Sequence, residues 1–197
     1  MLHTSETDPI RVDFVDSAAH GLPGRLGLTF APGKSGRGAY ANWDRNLRKD
    51  LARLRDAYGT KVLVTLLEEF EMKRASISGL RAATRRAGMK SVWFPIADVS
   101  VPHDPEDAVP VVGEILEHLT SGDTVVVHCM GGLGRSGTIA ACVLAARGMA
   151  PERAVEMVRA ARPGALETAS QVAFVPHFQA AWVEAGEERR RGALAGR

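Results

Sequence analysis

The sequence has few cysteines, little net charge and no long apolar run. Two cysteines in 197 residues cannot form the disulfide framework of a small secreted protein, which excludes that class. The net charge of +2 is small and the basic residues alternate with acidic ones, so neither a nucleic-acid nor a membrane partner is expected. No stretch reaches the roughly 20 apolar residues of a membrane span. A clustered metal-ligand pattern such as His-x-Glu-x-x-His is also missing, and no metal or other cofactor is expected.

Length and composition are those of an ordinary globular chain. The hydrophobic content is 45% and the charged content is 24%. A length of 197 residues is enough for a sizeable core, and we predict a single domain over residues 1–197, with residues 1–9 and 187–197 as loose ends. Residues 1–9 lack the basic region and apolar run of a signal peptide, which predicts a cytoplasmic protein. The sequence does not indicate an oligomeric state.

Apolar runs that alternate with helical periodicity predict an α/β fold. Strands are predicted at residues 10–15, 25–30, 61–67, 90–96 and 123–128. Helices are predicted at residues 42–57, 76–87, 106–120, 135–147, 151–161 and 167–185, and loops at residues 32–39 and 68–75. Because strands that alternate with helices pair in parallel, we expect a central, mostly parallel sheet of about four to five strands with helices on both faces. An active site is expected at the carboxyl ends of those strands.

The most informative stretch is Val125–Thr138, in which an apolar run ends in Cys129 and a glycine-rich turn precedes an apolar helix. Such a strand-to-helix turn directs backbone N–H groups toward a bound oxyanion. Those N–H groups are predicted to belong to Met130, Gly131, Gly132, Leu133, Gly134 and Arg135. Arg135 adds a planar fork of donors that holds two phosphate oxygens. The pattern predicts a phosphate site with a nucleophile at its floor.

The same groups prepare Cys129 to attack phosphorus. The inward N–H groups, the positive end of the following helix and Arg135 all favour the thiolate over the thiol. Ser136 is placed to donate a hydrogen bond to the sulfur, which makes the thiolate a better leaving group when a phosphocysteine breaks down. His128 precedes the cysteine, so its side chain points to the other face of the strand and is expected to fix the loop indirectly. Cys142 falls in an apolar helix and is predicted to be core.

The leaving oxygen needs a proton, so an acid should face the thiolate from another loop. Asp98 ends the β-rich run Ser91–Asp98 and is the preferred candidate. Asp104, in the segment Pro102–Pro105, is the alternative. An aspartate before a proline and a helix is also typical of an N-cap, which gives Asp104 a structural explanation.

The string His128–Ser136, which reads HCMGGLGRS, resembles the signature of cysteine-dependent protein tyrosine phosphatases of the dual-specificity superfamily. It is most similar to the cyclin-dependent kinase-associated phosphatase branch, and the similarity extends from about Leu26 to about Trp182. The resemblance implies a protein tyrosine phosphatase-like fold. It also implies that Pro95–Asp98 is the general-acid loop, although the Trp-Pro-Asp of the larger tyrosine-specific enzymes is absent here.

We call residues Met130–Arg135 the phosphate loop. A third segment, Arg162–Gln171, resembles family segments that lie against this loop. In the larger enzymes a glutamine from such a region orients the hydrolytic water. Gln171 is the candidate for that task, the alternative being an exposed residue of the helix. Arg162 either supports the phosphate loop or faces solvent.

Together these observations predict a phosphomonoester hydrolase of the dual-specificity tyrosine phosphatase type, which acts on a phosphorylated protein or peptide through a phosphocysteine intermediate. Three alternatives stay open: a non-catalytic phosphate-binding module, a phosphatase for a small-molecule or lipid phosphate, and a thiol enzyme of the sulfur-transfer or arsenate type. The last would need a second cysteine close to Cys129, and Cys142 lies too far down its helix. Lipid-specific relatives usually carry lysines in the loop, where this chain has Met130 and Leu133.

Overall fold

The structure, a computed structural model, describes residues 2–37 and 42–195. Its strands are β1 (Leu2–Thr4), β2 (Asp13–Phe14), β3 (Arg25–Thr29), β4 (Ser35–Arg37), β5 (Asn42–Asp44), β6 (Thr60–Thr65), β7 (Lys90–Trp93) and β8 (Thr124–His128). Its α-helices are α1 (Ser17–His20), α2 (Leu47–Tyr58), α3 (Glu69–Arg74), α4 (Leu80–Arg86), α5 (Ala108–Thr120), α6 (Gly134–Ala146), α7 (Pro151–Ala161) and α8 (Ala169–Ala195). A short 3-10 helix (Pro105–Asp107) leads directly into α5.

Five strands make the central sheet, in the spatial order β2-β3-β8-β6-β7. β8 lies in the middle and pairs in parallel with β3 on one side and with β6 on the other. β6 pairs in parallel with β7, whereas β2 at the edge is antiparallel to β3. The predicted α/β fold with a mostly parallel sheet of four to five strands is confirmed. The carboxyl ends of β3, β8, β6 and β7 meet at one edge of the sheet, which we call the carboxyl edge.

Helices cover both faces of this sheet, as predicted. Along β8, Val125 and Val127 belong to one apolar cluster, whereas Val126 belongs to a second. The first cluster is completed by α5, α6, α7 and α8, and the second by α2, α3 and α4. Since successive residues of a strand point to opposite faces, a strand that is covered on both faces must be apolar throughout. This explains the unbroken valine run before Cys129.

The expectation of a loose amino-terminal arm at residues 1–9 is wrong for the described residues. β1 pairs in parallel with β5, and β5 pairs with β4 in a small second sheet. The guanidinium of Arg45 donates to the carbonyl oxygens of Thr4 at 3.3 Å and Asp8 at 2.7 Å, which holds the arm against the start of α2. The loop predicted at residues 32–39 therefore contains β4, while residues 38 and 39 lie outside the described part of the chain.

Two segments are shorter than predicted because side chains intervene. The helix expected at residues 42–57 begins at Leu47, since the side chain of Asn46 caps it by accepting a hydrogen bond from the N–H of Lys49 at 3.0 Å. The strand expected at residues 10–15 shrinks to β2. The carbonyl oxygen of Ile10 accepts a hydrogen bond from Arg53, so it does not join the sheet ladder.

The segment 68–75, predicted as a loop, contains α3. This helix begins with a capping box in which Glu68 and Glu71 satisfy each other's backbone N–H groups. It is too short to show the periodicity by which longer helices are recognised in a sequence. α3 starts directly after β6, so it lies at the carboxyl edge.

The carboxy-terminal end is helical where it was expected to be loose. α8 continues through Ala195, with Pro176 inside it, and an ion pair between Glu187 and Arg191 at 3.6 Å follows the i, i+4 spacing of a helix. Residues 196–197 lie outside the described part. Among the described helices, none is both long enough and apolar enough to cross a bilayer. The assignment of residues 1–197 to one domain stays a prediction.

Candidate active site

The glycine-rich loop lies at the carboxyl edge, between the end of β8 and the start of α6. Gly132 has a φ of +74°, and a Cβ atom on it would lie 2.3 Å from the carbonyl oxygen of Thr29. Only glycine fits this close approach to β3. The backbone N–H of Gly132 donates to Sγ of Cys129 at 3.3 Å. The loop therefore turns an N–H group inward onto the sulfur, as an anion-binding loop requires.

Cys129 is buried, and its sulfur lies among groups that stabilise negative charge. Sγ is 3.6 Å from the hydroxyl oxygen of Ser136, at the amino-terminal end of α6, whose first turn presents its positive end. Cys142 lies in the middle of the same helix, and burial raises the pKa of its thiol well above the usual range. The two cysteines thus differ in their polar contacts: Sγ of Cys129 lies beside an N–H and a hydroxyl group, whereas Cys142 is fully buried within an apolar helix.

The guanidinium of Arg135 is held at the start of α6 by two carboxylates, one from α3 and one from the loop that follows β7. Nη1 donates to Oε2 of Glu71 at 2.7 Å and to the carbonyl oxygen of Ile96 at 2.9 Å. Nη2 donates to Oε1 of Glu71 at 2.9 Å and to Oδ1 of Asp98 at 2.8 Å. Burial alone would lower the pKa of Arg135, but the hydrogen bonds to Glu71 raise it above its ordinary value. Arg135 is therefore a permanent, oriented cation.

These contacts occupy both N–H bonds of each Nη group. A phosphate that binds the guanidinium at two points must therefore displace at least one of the protein oxygens. The side chain of Asp98 is 60% exposed, whereas that of Glu71 is 3% exposed. Asp98 is therefore the partner of Arg135 that is more easily displaced from the guanidinium.

The two candidate acids occupy different positions. Asp98 reaches Arg135 from the loop that follows β7, next to Val99, whose φ of +59° is strained for a β-branched residue. Asp104 is exposed, begins the 3-10 helix as its N-cap, and contacts Nδ1 of His103 at 2.8 Å. The structure thus brings Asp98 to the phosphate loop and uses Asp104 as a helix cap.

Glu71 is a site residue that the sequence reasoning missed. Its Oε2 accepts a hydrogen bond from the N–H of Glu68 at 2.9 Å as well as from Arg135, so one carboxylate both caps α3 and orients the arginine. The signal that could have revealed it is the spacing Glu68-x-x-Glu71, a capping-box pattern placed directly after a buried strand.

His128, the last residue of β8, supports the loop through hydrogen bonds of its imidazole ring. Its Nδ1 lies 3.1 Å from the carbonyl oxygen of Cys129, which can only accept, so Nδ1 carries the proton. Nε2 then accepts from the hydroxyl of Thr65 at 2.9 Å. Complete burial, and to a smaller extent the charge of Arg135, lowers the pKa of His128 to about 4, although the hydrogen bond to the carbonyl of Cys129 opposes the shift. His128 is neutral and joins the ends of β6 and β8.

Arg162 lies under the phosphate loop. Its Nε donates to the carbonyl oxygen of Gly132 at 2.5 Å, its Nη2 donates to that of Gly131 at 3.0 Å, and Nη1 is paired with Asp13. In a trans peptide the C=O and the following N–H point in opposite directions. Binding these carbonyls on the outside therefore directs the N–H groups of Gly132 and Leu133 to the inside.

Two expectations about the site are corrected by Glu167 and Gln171: one concerns the N–H of Gly134, and the other concerns the exposure of Gln171. The N–H of Gly134 donates to Oε2 of Glu167 at 2.9 Å, so this N–H, expected to face phosphate, already has a protein partner. Gln171 is 1% exposed, which overturns the alternative of an exposed helix residue. Its side chain accepts from the N–H of Thr168 at 3.2 Å and donates to the carbonyl of Ser100 at 3.3 Å, which ties the start of α8 to the loop of Asp98. A role in orienting water stays a prediction.

Known proteins share this fold and about a quarter of the aligned residues. The human protein named cyclin-dependent kinase inhibitor 3 is 27% identical over 177 residues, covering 88% of this chain and 81% of its own length. A solved structure of kinase associated phosphatase, with serine in place of its catalytic-site cysteine, superposes with a TM-score of 0.79 at 25% identity and covers 88% of this chain and 96% of that one. Tk-PTP in its active form superposes with a TM-score of 0.66 at 27% identity, covering 85% and 95% of the two chains.

A family model agrees with these likenesses. It is described as the DSP-PTPase phosphatase domain of Swiss Army Knife proteins, and it matches residues 37–175, which include the Asp98 loop, the Cys129 loop and Arg162. This chain belongs to that phosphatase-domain family, within the protein tyrosine phosphatase superfamily.

Proposed function

We propose that this protein is a dual-specificity protein phosphatase that hydrolyses phosphomonoesters on phosphorylated proteins or peptides through a phosphocysteine intermediate. The observation that carries the proposal is the joint placement of Cys129 and Arg135 at the two ends of the turn between β8 and α6. The sulfur accepts a backbone N–H from Gly132, and the guanidinium is oriented by a buried carboxylate. A nucleophile and an anion-binding fork at the two ends of one short turn suit attack on a phosphate ester.

In the first step, the sulfur of Cys129 attacks phosphorus in line. An S–P bond forms while the bond between phosphorus and the ester oxygen breaks. Arg135 and the inward N–H groups hold the non-bridging oxygens, and Asp98 gives its proton to the leaving oxygen. For this step Asp98 must leave Nη2 of Arg135, a position that the phosphate then takes.

In the second step, a water molecule attacks phosphorus and the S–P bond breaks. The carboxylate of Asp98 accepts the proton of the water, and the released sulfur leaves as a thiolate. The hydroxyl of Ser136, 3.6 Å from Sγ, stabilises that thiolate by a hydrogen bond. The overall reaction converts a phosphomonoester and water into an alcohol or phenol and inorganic phosphate.

Two relatives support a protein substrate, since their names associate them with cyclin-dependent kinases or with kinases in general. At 25–27% identity the substrate class is part of the proposal. A cytoplasmic location is also part of it, because a nucleophilic thiol must stay reduced. Apolar side chains at Met130 and Leu133 give the loop no cation of its own beyond Arg135 for a head group with several phosphates.

The test compares hydrolysis of a phosphotyrosine peptide, a phosphothreonine peptide and a soluble phosphoinositide by the same preparation. We expect turnover of both peptides and little of the phosphoinositide. Cys129→Ser should abolish turnover, because serine does not ionise at neutral pH, while still binding phosphopeptide. Cys142→Ser, the matched control in the helix interior, should retain turnover. Preference for the phosphoinositide would overturn the substrate class, and activity retained by Cys129→Ser would overturn the mechanism.

A further inference from the structure

Lys34 is a buried lysine whose ammonium points at the phosphate loop. It follows β3 on a tight turn at the carboxyl edge and is 8% exposed. Its Nζ donates to the carbonyl oxygen of Met130 at 3.2 Å. The same ammonium lies 3.8 Å from the centre of the Trp43 ring and 4.7 Å from that of Phe30. Burial of a lysine is unfavourable unless such contacts offset it, so a buried ammonium at this edge suggests a functional role.

The turn that carries Lys34 is held rigidly. Gly33 has a φ of +73°, and its N–H donates to Oδ2 of Asp50 at 2.9 Å. The carboxylate of Asp50 is in turn paired with the guanidinium of Arg45. The backbone N–H of Arg45 donates to the carbonyl oxygen of Lys34 at 3.3 Å. The backbone of Lys34 is therefore held in place, and its ammonium is held by the Met130 carbonyl and the two aromatic rings, which is what positioning of another group requires.

Lys34 completes the outer support of the loop. Arg162 binds the carbonyls of Gly131 and Gly132 from outside. The carbonyl that precedes them, that of Met130, accepts from Lys34 and also from the backbone N–H of Ala31 at 3.3 Å. Because the peptide is planar and trans, a Met130 carbonyl directed outward turns the N–H of Gly131 inward. We propose that Lys34 is a positioning residue of the phosphate loop, which orients the Met130–Gly131 peptide toward bound phosphate and adds positive potential at the sulfur of Cys129.

The charge of Lys34 is itself sensitive to pH. Burial, and next the charge of Arg45, lower the pKa of Lys34 to about 8, against the attraction of Cys129. The other charged groups around it are Arg162, a permanent cation, and Asp8, whose pKa is lowered by hydrogen bonds from His3 and Arg11 although burial opposes this. The added potential should therefore be present below about pH 8 and disappear above it.

This is tested by the alkylation of Cys129 with iodoacetate and with iodoacetamide, followed by mass spectrometry. Both reagents react with the thiolate, but iodoacetate is an anion and iodoacetamide is neutral. The ratio of the iodoacetate rate to the iodoacetamide rate is therefore independent of how much thiolate is present, and it reports the local electrostatic potential. In the wild type the ratio should fall several-fold as the pH rises through about 8, since one nearby positive charge is lost. In Lys34→Met the ratio should be low and independent of pH. In Lys34→Arg it should stay high, because arginine keeps its charge.

The control is Lys61→Met, which removes the same charge from an exposed position at the opposite end of β6, and it should behave as the wild type. His3→Asn should also keep the pH dependence, although His3 stacks on Trp43 at 5.0 Å. A ratio in the wild type that is flat from about pH 7 to about pH 9, or equal in wild type and Lys34→Met, would refute the proposal. The wild-type profile decides even if Lys34→Met does not fold.

A second measurement, the rate of hydrolysis, is the only test of Lys34 that rests on the proposed function. Lys34→Met should lower kcat/KM for a phosphotyrosine peptide by roughly tenfold, the loss of one hydrogen bond to a charged group, while Lys61→Met leaves it unchanged. Alkylation needs no substrate, so the two ideas fail separately. A wild type without turnover but with the expected ratio would contradict the function alone, whereas normal turnover with a flat ratio would contradict the role of Lys34 alone.

Discussion

Replacement of Glu71 by glutamine is expected to weaken the fold and the reaction together. Glu71 binds both Nη groups of Arg135, and the two side chains are 3% and 2% exposed, so water cannot replace the lost charge. Removal of one partner from a buried ion pair costs about 3–5 kcal/mol, because the other charge is left uncompensated. Glutamine keeps the shape and one acceptor oxygen. We therefore expect Glu71→Gln to lower the free energy of unfolding by about 3 kcal/mol.

The same change should disturb catalysis, since Arg135 loses one of the two carboxylate oxygens by which Glu71 orients its plane. A misplacement of about 1 Å at a group that binds the reacting phosphate can reduce kcat/KM by roughly 10²-fold. Urea denaturation measures the first effect, and hydrolysis of a phosphotyrosine peptide measures the second. Glu69→Gln is the matched control: it removes the same charge from an exposed position on α3 and should change the free energy of unfolding by only a few tenths of a kcal/mol.

A double-mutant cycle with Arg135→Met separates the ion pair from the helix. Once the arginine is gone, loss of the Glu71 charge should cost far less, because a carboxylate left alone in the interior is itself unfavourable. The reasoning is refuted if Glu71→Gln destabilises equally in both backgrounds. It is also refuted if the single variant keeps the unfolding free energy and the kcat/KM of the wild type.

Three further changes test individual residues. Arg135→Lys should be nearly as damaging to kcat/KM as Arg135→Ala, because an ammonium cannot span two phosphate oxygens in one plane; near-native efficiency would show that charge alone matters. Asp98→Asn should lower turnover of a phosphotyrosine peptide by roughly 10²–10⁴-fold, and far less for an aryl phosphate with a good leaving group, whereas Asp104→Asn should cost only about 1 kcal/mol of stability; the opposite pattern would reverse the assignment. Burial lowers the pKa of His128 from 6.5 to about 4, so the unfolded chain binds a proton that the folded one excludes. Stability from this group is complete above about pH 6.5 and is lost by about 3 kcal/mol as the pH falls to about 4; His128→Gln should lack that component in urea denaturation at both pH values.

The parts of the fold that could be predicted are those encoded within a few neighbouring residues. The valine run, the glycine turn and the apolar helix around Cys129 are contiguous, so one reading of the sequence predicts the strand, the loop and α6 together. The parallel sheet follows from the alternation of such units. In contrast, α3 is too short for periodicity, and β1 depends on partners far along the chain, since it pairs with β5 and Arg45 binds the backbone of the arm.

The site was predicted in proportion to how local its contacts are. Cys129 begins the glycine-rich loop, and Arg135 and Ser136 lie in the first turn of α6 directly after it, so their roles follow from spacing in the sequence. Glu71 and Lys34 meet this loop only after the strands have paired, across sequence separations of 64 and 96 residues. No local pattern contains such contacts. Gln171 shows the same limit. Its side-chain amide is hydrogen-bonded to backbone groups of two different loops, and the residue spacing within its own helix does not reveal those contacts.

Strand order nevertheless limits where the missing residues had to be. β8 carries Cys129 and lies between β3 and β6, so the loops after β3, β6 and β7 are the ones that reach the same edge. Lys34 follows β3, Glu71 follows β6 and Asp98 follows β7, one charged side chain from each loop. A buried arginine at that edge requires a carboxylate, and the first acidic residues after a neighbouring strand are the ones within reach. The sequence thus restricts the partner of Arg135 to the segment after β6 or β7, and side-chain packing decides that Glu71 binds permanently while the exposed Asp98 stays free to exchange with phosphate.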